Sequence, residues 1–129
     1  MSSQNNRTIL MYGFDKNTEK IIEKIGKNFN VDNFKVIKNH MTGVKIRDIL
    51  EGNLKEQDNF YDVQEKVVLF NDLTDRQISG IMSELKSKVN ERPILAVVTE
   101  TSIDWSFNYL LDHLLQERAW FEKNNKVSE

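Results

Sequence analysis

The sequence predicts an α/β fold: a four-stranded, mostly parallel sheet built from two βαβα halves, in the order 2-1-3-4, with helices on both faces. Three observations predict it. Short apolar runs alternate with segments whose apolar residues recur every three or four positions, the periods of strand and helix. Turn or capping residues punctuate the change from one period to the other. The strand–helix–strand–helix order then occurs twice, over residues 8–52 and 66–123, within one expected domain of residues 1–129. Alternation of this kind favours parallel neighbours joined by crossover helices, with an antiparallel pairing still open at one edge of the sheet.

The first strand is Ile9-Leu10-Met11-Tyr12, ending at Gly13. A helix follows from Asp15 to Asn28, capped by Asp15 or Asn17, with Ile21, Ile22, Ile25 and Phe29 at helical spacing. Phe34-Lys35-Val36-Ile37 is the second strand. From Thr42, the residues Val44, Ile46, Ile49 and Leu50 predict a short helix that stops near Gly52. Residues 53–65 are largely polar, with four acids to one lysine and with Phe60 and Tyr61 among them, and form the connection between halves.

The second half is written more strongly. Val67-Val68-Leu69-Phe70 is continuously apolar, as a strand buried on both faces would be. Thr74-Asp75-Arg76-Gln77 is a capping-box pattern, opening a helix with Ile78, Ile81, Met82, Leu85 and Val89 on its apolar face. Pro93 ends that helix, and Ile94 to Thr99 is the fourth strand. Thr101-Ser102-Ile103-Asp104 resembles a second capping box, ahead of a long helix carrying Phe107, Leu110, Leu111, Leu114, Leu115 and Phe121. The tail from Asn124 is expected to fray. Laid over the first half, Ile81, Met82, Leu85 and Val89 fall on Ile21, Ile22, Ile25 and Phe29 at an offset of about 60 residues, which predicts an internal repeat.

Composition narrows the function classes. The chain has no cysteine, which excludes a disulfide framework, a thiolate metal site and a cysteine nucleophile, and suits a reducing cytoplasm. A net charge of −2 supplies no basic field for a phosphate backbone, so nucleic acid is not an expected partner. The polar start, Met1 to Arg7, lacks the apolar stretch of a secretory signal, and no apolar run is long enough to span a bilayer. The expected location is cytoplasmic.

Ligands of open parallel sheets bind beyond the carboxyl ends of the strands. Four polar loops are expected to gather there: Gly13–Asp15, Asn39–Thr42, Asn71–Thr74 and Thr99–Trp105. The candidate ligand-binding residues are Asn71, Asp72, Thr74, Thr99, Thr101, Ser102, Asp104 and Trp105. The same residue types also serve as caps and turn formers, and an indole in a first helical turn commonly anchors packing. His40 is the one histidine expected at this edge, and a lone histidine makes neither a metal site nor a catalytic pair. No catalytic residue, metal ligand or cofactor is assigned. Asp15, Asp72 and Thr99 stand in the chain order of a receiver-type phosphoacceptor site, but the acidic pair is reduced to one residue and the fifth strand with its lysine is missing.

The stretch Val67-Val68-Leu69-Phe70-Asn71-Asp72-Leu73, followed by Ala96-Val97-Val98-Thr99-Glu100-Thr101-Ser102-Ile103-Asp104-Trp105, resembles a domain of unknown function found in small bacterial proteins, common among Gram-positive anaerobes. The family pattern is an apolar strand, a helix, an Ala-Val-Val-Thr strand, and a Trp that opens a Leu- and Glu-rich final helix. It covers about Lys66 to Phe121, and members often carry Asn where this chain has Asp104. The resemblance implies a fold and a bacterial setting; it implies no activity.

Two kinds of function follow as expectations. One is a small binding or protein-interaction module without catalysis, meeting a partner or a second copy through the C-terminal helix with its surplus aromatics Trp120 and Phe121. The alternative is a sensor or enzyme for a polar or anionic small molecule at the strand-end edge.

Overall fold

The computed structural model describes residues 6–54 and 64–127, with side chains through residue 123. Phe60, Tyr61 and most of the connection between halves lie outside the described residues. The chain runs β1 (Thr8–Tyr12), α1 (Lys16–Asn28), β2 (Asn33–Ile37), α2 (Ile46–Glu51), β3 (Val67–Asn71), α3 (Asp75–Lys88), β4 (Ile94–Val97) and α4 (Phe107–Val127). Two 3-10 turns precede the even-numbered helices, at Asn39–Met41 and Ser102–Asp104. The α/β class and the strand order 2-1-3-4 are as predicted.

Two of the three strand pairs are parallel, β1 with β2 and β3 with β4. The antiparallel pair lies at the centre of the sheet, where β1 meets β3, and not at an edge. α2 carries the chain back to the end where β1 began, where Leu50 and Glu51 line a recess with Thr8 and Asn33. β3 nevertheless starts at Val67 beside Tyr12, where β1 finished, so the connection between the halves has brought the chain back to that end. Gly13 marks this junction: its φ is +91°, and a Cβ there would strike the backbone carbonyl of Glu65.

Burial follows strand position. β1 is buried throughout and β3 up to Phe70, because both are central, while the edge strands β2 and β4 are largely half-buried. Side chains alternate between two cores, as pleating requires. Ile9, Met11, Val68 and Phe70 face α1 and α3, meeting Ile22, Ile25, Ile81 and Leu85. Leu10, Tyr12, Val67 and Leu69 face α2 and α4, meeting Ile46, Ile49, Phe107, Leu110 and Leu111. At about 1.5–3 kcal/mol for each fully buried large aliphatic or aromatic side chain, these layers outweigh any surface pair.

The halves correspond element by element, in a register that differs slightly from the expected one. Leu10 sits opposite Leu69, with Thr8 opposite Asn71 and Tyr12 opposite Val67, so the central pair reads alike from either strand. After each central strand comes a residue with positive φ, Gly13 and Asp72, and then an N-cap, Asp15 and Thr74. The buried positions Thr18 and Ile22 thus match Gln77 and Ile81, whereas Ile21, expected on Ile81, is exposed. The segments entering α2 and α4 also pair antiparallel: Ile46 N donates to Trp105 O at 2.9 Å and Phe107 N to Val44 O at 3.0 Å.

Two boundaries shift. β4 ends at Val97 rather than Thr99, and α4 extends to Val127.

Candidate functional site

The central antiparallel pair divides the predicted strand-end site. The carboxyl ends of β3 and β4 share one end of the sheet with the amino ends of β1 and β2, since Asn71 lies opposite Thr8. All eight candidate residues lie at or beyond the carboxyl ends of those two strands, at one end of the sheet. The loops Gly13–Asp15 and Asn39–Thr42, with His40, stand at the opposite end. Asp15 is consequently a sheet length away from Asp72 and Thr99, so no receiver-like acidic cluster forms. The expectation of four gathered loops required parallel strands throughout.

At the β3–β4 end the hydroxyls close on the backbone. Thr74 Oγ1 accepts from Gln77 N at 3.1 Å, and Gln77 Oε1 accepts from Thr74 N at 2.9 Å. Gln77 is itself buried and donates through Nε2 to Phe29 O at 2.8 Å, tying this cap to the end of α1. The second reciprocal cap is displaced from the expected Thr101–Asp104. Ser102 Oγ accepts from Thr99 N at 2.9 Å, and Thr99 Oγ1 accepts from Ser102 N at 3.0 Å. It opens the 3-10 turn, not α4, and Thr101 makes no side-chain capping bond. The cap of α4 is Ser106, whose Oγ accepts from Tyr109 N.

The remaining candidates have other duties. Asn71 Nδ2 donates to Asn6 O at 2.9 Å. Asp72 holds φ at +61°, a left-handed turn that aspartate tolerates better than most residues. Asp104 pairs with Arg47, which donates Nε to Oδ1 at 2.8 Å and Nη2 to Oδ2 at 3.4 Å. That guanidinium holds the Asp104 carboxyl below its ordinary range, and Arg47 is raised in turn by the same hydrogen bond. Both groups are solvated, so the pair orients α2 against the 3-10 turn more than it stabilises the fold.

Trp105 is half-buried against the α2–α4 core and lies in a ring cluster. Its centroid is 4.8 Å from Tyr109, edge to face, and 4.8 Å from His113; Tyr109 and His113 are 4.9 Å apart. His113 is therefore a half-buried residue in contact with both rings. The four-residue spacing of 105, 109 and 113 was the signal that could have found this cluster. No local pattern could have found Arg47 opposite Asp104, or Arg118 bidentate on Glu65 at 3.0 and 3.2 Å.

Two surface features remain open to a partner. Beside Asn71, a polar recess of about 280 Å³ is lined by Asn6, Asn33, Lys35, Arg47 and Glu51 among others. On α4, every residue from Gln116 to Lys123 is exposed, including Trp120 at 65% and Phe121 at 59%. Among the described residues, no group of three His, Asp or Glu side chains is placed to hold a metal ion, and no helix is long and apolar enough to cross a membrane.

Residues 66–121 match the family model described as a domain of unknown function, DUF3783, the segment on which the sequence resemblance rests. No curated protein and no solved structure matches the chain.

Proposed function

We propose that this chain is a small protein-interaction module without catalysis of its own, meeting its partner through the exposed end of α4. The observation that carries the reading is the exposure of Trp120 and Phe121 on helical turns where no residue is buried. Two large aromatics with most of their surface exposed on one helix offer apolar area for a partner to bury, and aromatic anchors dominate binding surfaces. The candidate hydroxyls support the same reading from the other side. Thr99 and Ser102 are engaged with each other's amides, and neither histidine stands beside them as a base: His40 is at the far end of the sheet and His113 is in contact with the Trp105 and Tyr109 rings.

A photo-crosslinking residue placed at 121 in the producing cells tests this, with position 86 on α3 as control. The expected result is a discrete adduct at 121 that Trp120→Ser abolishes without lowering the melting temperature. Equal labelling at both positions, or none at either, overturns it.

The polar recess favours a second reading, a sensor for a small anion. Lys35 lines it beside the amides of Asn33 and Asn71, and a carboxylate or phosphate would suit that set. A thermal-shift screen with nucleotides, sugar phosphates and amino acids would show a stabilising compound whose effect disappears in Lys35→Ala.

Two contextual proposals accompany the function. The absence of cysteine and the family resemblance support a bacterial cytoplasmic setting. The paired caps, left-handed turns and matching buried positions support descent of the halves from one duplicated βαβα unit.

A further inference from the structure

The two edges of the sheet differ. β2 carries Lys35 at its middle, a charge of the kind that keeps an edge strand from pairing. β4 has no such guard: every residue from Pro93 to Thr99 is uncharged, and Val97 is 47% exposed. Ile94 N donates to Lys66 O and Val98 N to Phe70 O, both at 2.8 Å, so alternate residues of β4 turn their backbone groups toward β3. The N–H and C=O of Leu95 and Val97 point the other way, and among the described residues no strand lies beyond them. This open edge is bounded on both sides. Pro93 has no N–H to offer, and the Thr99 N–H is held by Ser102 Oγ at 2.9 Å.

From this we infer that β4 pairs with β4 of a second copy of the chain, antiparallel, about a two-fold axis at Ala96. In that register Leu95 faces Val97 of the second copy, and the two exchange both of their N–H···O=C bonds, so every open donor and acceptor of the edge is matched. Centring the pair on Leu95 would set the Val97 carbonyl against Pro93, which has no N–H. Centring it on Val97 would set the Leu95 carbonyl against the occupied N–H of Thr99. The strand is thus fully complementary to itself in one register, and the two-fold closes the assembly at a pair.

Side chains and layers agree with this pairing. Leu95 and Val97 alternate onto the α1–α3 face, so the axis lays the exposed Val97 against Leu95 of the second copy. On the α2–α4 face the small Ala96 meets its own copy, and Ile94 lies beside Val98. Each face of the four-stranded sheet carries two helices, which at about 8–10 Å apiece cover about the width of four strands spaced about 4.8 Å apart. The sheet can therefore run on into a second copy without the helices of one overlying the strands of the other. The pairing uses no residue of α4 and stands apart from the interaction reading above.

Ala96→Cys in the full chain tests the register. Directly opposed residues of a non-hydrogen-bonded pair have Cα atoms about 4.5 Å apart, within the roughly 4.4–6.8 Å that a disulfide spans. The two copies of residue 97 are diagonal neighbours, about 7–8 Å apart and beyond that span. The chain has no cysteine of its own. Under mild oxidation Ala96→Cys should form a disulfide-linked dimer at least about tenfold faster than Val97→Cys, although chance collision favours the more exposed site. Sedimentation equilibrium of the unmodified chain up to about 500 μM should show a monomer–dimer equilibrium. Val97→Pro should remove it while the melting temperature holds, since the ring deletes an outward N–H and no bond to β3. Val97→Lys, which keeps the backbone donor and adds an edge charge, should remove it as well. A monomer at every concentration overturns the pairing, as does cross-linking at 97 that matches 96, or a dimer that survives both substitutions at 97. A dimer that Trp120→Ser dissolves and Val97→Pro leaves intact also defeats it, and assigns the second copy to α4.

Discussion

Consider a disulfide placed across the central strands by Thr8→Cys/Asn71→Cys. The two residues are directly opposed in the antiparallel β1–β3 register. Opposed Cα atoms in such a pair stand about 4.5–5.5 Å apart, inside the roughly 4.4–6.8 Å that a disulfide spans. Had β1 and β3 run parallel, Thr8 would face Val67, and Asn71 would lie four residues on, about 13 Å along the strand. A disulfide cannot reach that far. The bridge closes a loop of about 60 residues, which by loop-closure entropy stabilises the oxidised protein by up to about 4 kcal/mol over its reduced form. For a domain of this size, 1 kcal/mol moves the melting temperature by about 4 °C, so oxidation should raise it by as much as about 15 °C. The reduced variant should melt below wild type, because Thr8 Oγ1 and Asn71 Nδ2 both donate to Asn6 O, at 3.0 and 2.9 Å. Those lost bonds cost about 1–2 kcal/mol together. The chain has no cysteine of its own, so thiol titration and non-reducing gel mobility read the bridge without interference. Calorimetry of oxidised and reduced samples then gives the stabilisation. The reasoning is refuted if this pair stays reduced while Thr8→Cys/Val67→Cys cross-links.

Three further outcomes follow from the same geometry. Thr99→Val/Ser102→Ala removes both halves of the reciprocal cap, and should lower stability by about 1–2 kcal/mol in a denaturant titration, with its slope unchanged. Gly13→Ala must hold φ near +91° and push its Cβ into the Glu65 carbonyl; a loss of about 2 kcal/mol or more is expected, and a neutral result would mean the β1–β3 junction is looser than described. Asp15 is held below its ordinary 3.8 mainly by the Thr18 amide, and Asp104 mainly by Arg47. Carboxyls depressed on folding contribute stability that is complete above the unfolded value and is lost as pH falls through the lower folded one. Melting temperature should thus hold steady from pH 7 to about 5 and drop below pH 4, and Asp104→Asn should narrow its deficit against wild type over that acid range.

Much of the architecture was legible because it rests on local periodicity. The continuous apolar runs in β1 and β3 marked them as central strands, and the Thr74–Gln77 pattern is a capping box because its two partners are three residues apart. Caps, turns and amphipathic faces are decided within a few residues of chain. The displaced cap at Thr99–Ser102 was nearly as local; the strand signal simply ran two residues too far and hid it.

What the chain could not reveal locally was the direction of β3 relative to β1. That depends on which end of the sheet the connection between the halves delivers the chain to, which period and propensity do not encode. β3 starts beside Tyr12, and one consequence follows another. The four polar loops separate into two pairs, Asp15 and His40 part from Asp72 and Thr99, and the candidate site contracts to the end of the second half. Side chains distant in sequence, Arg47 with Asp104 and Glu65 with Arg118, meet only once the layers are packed. The sequence by itself determined the elements, their faces and the aromatics of α4. Only the tertiary structure decided which of those residues share an edge, and which of them remain in water for a partner to cover.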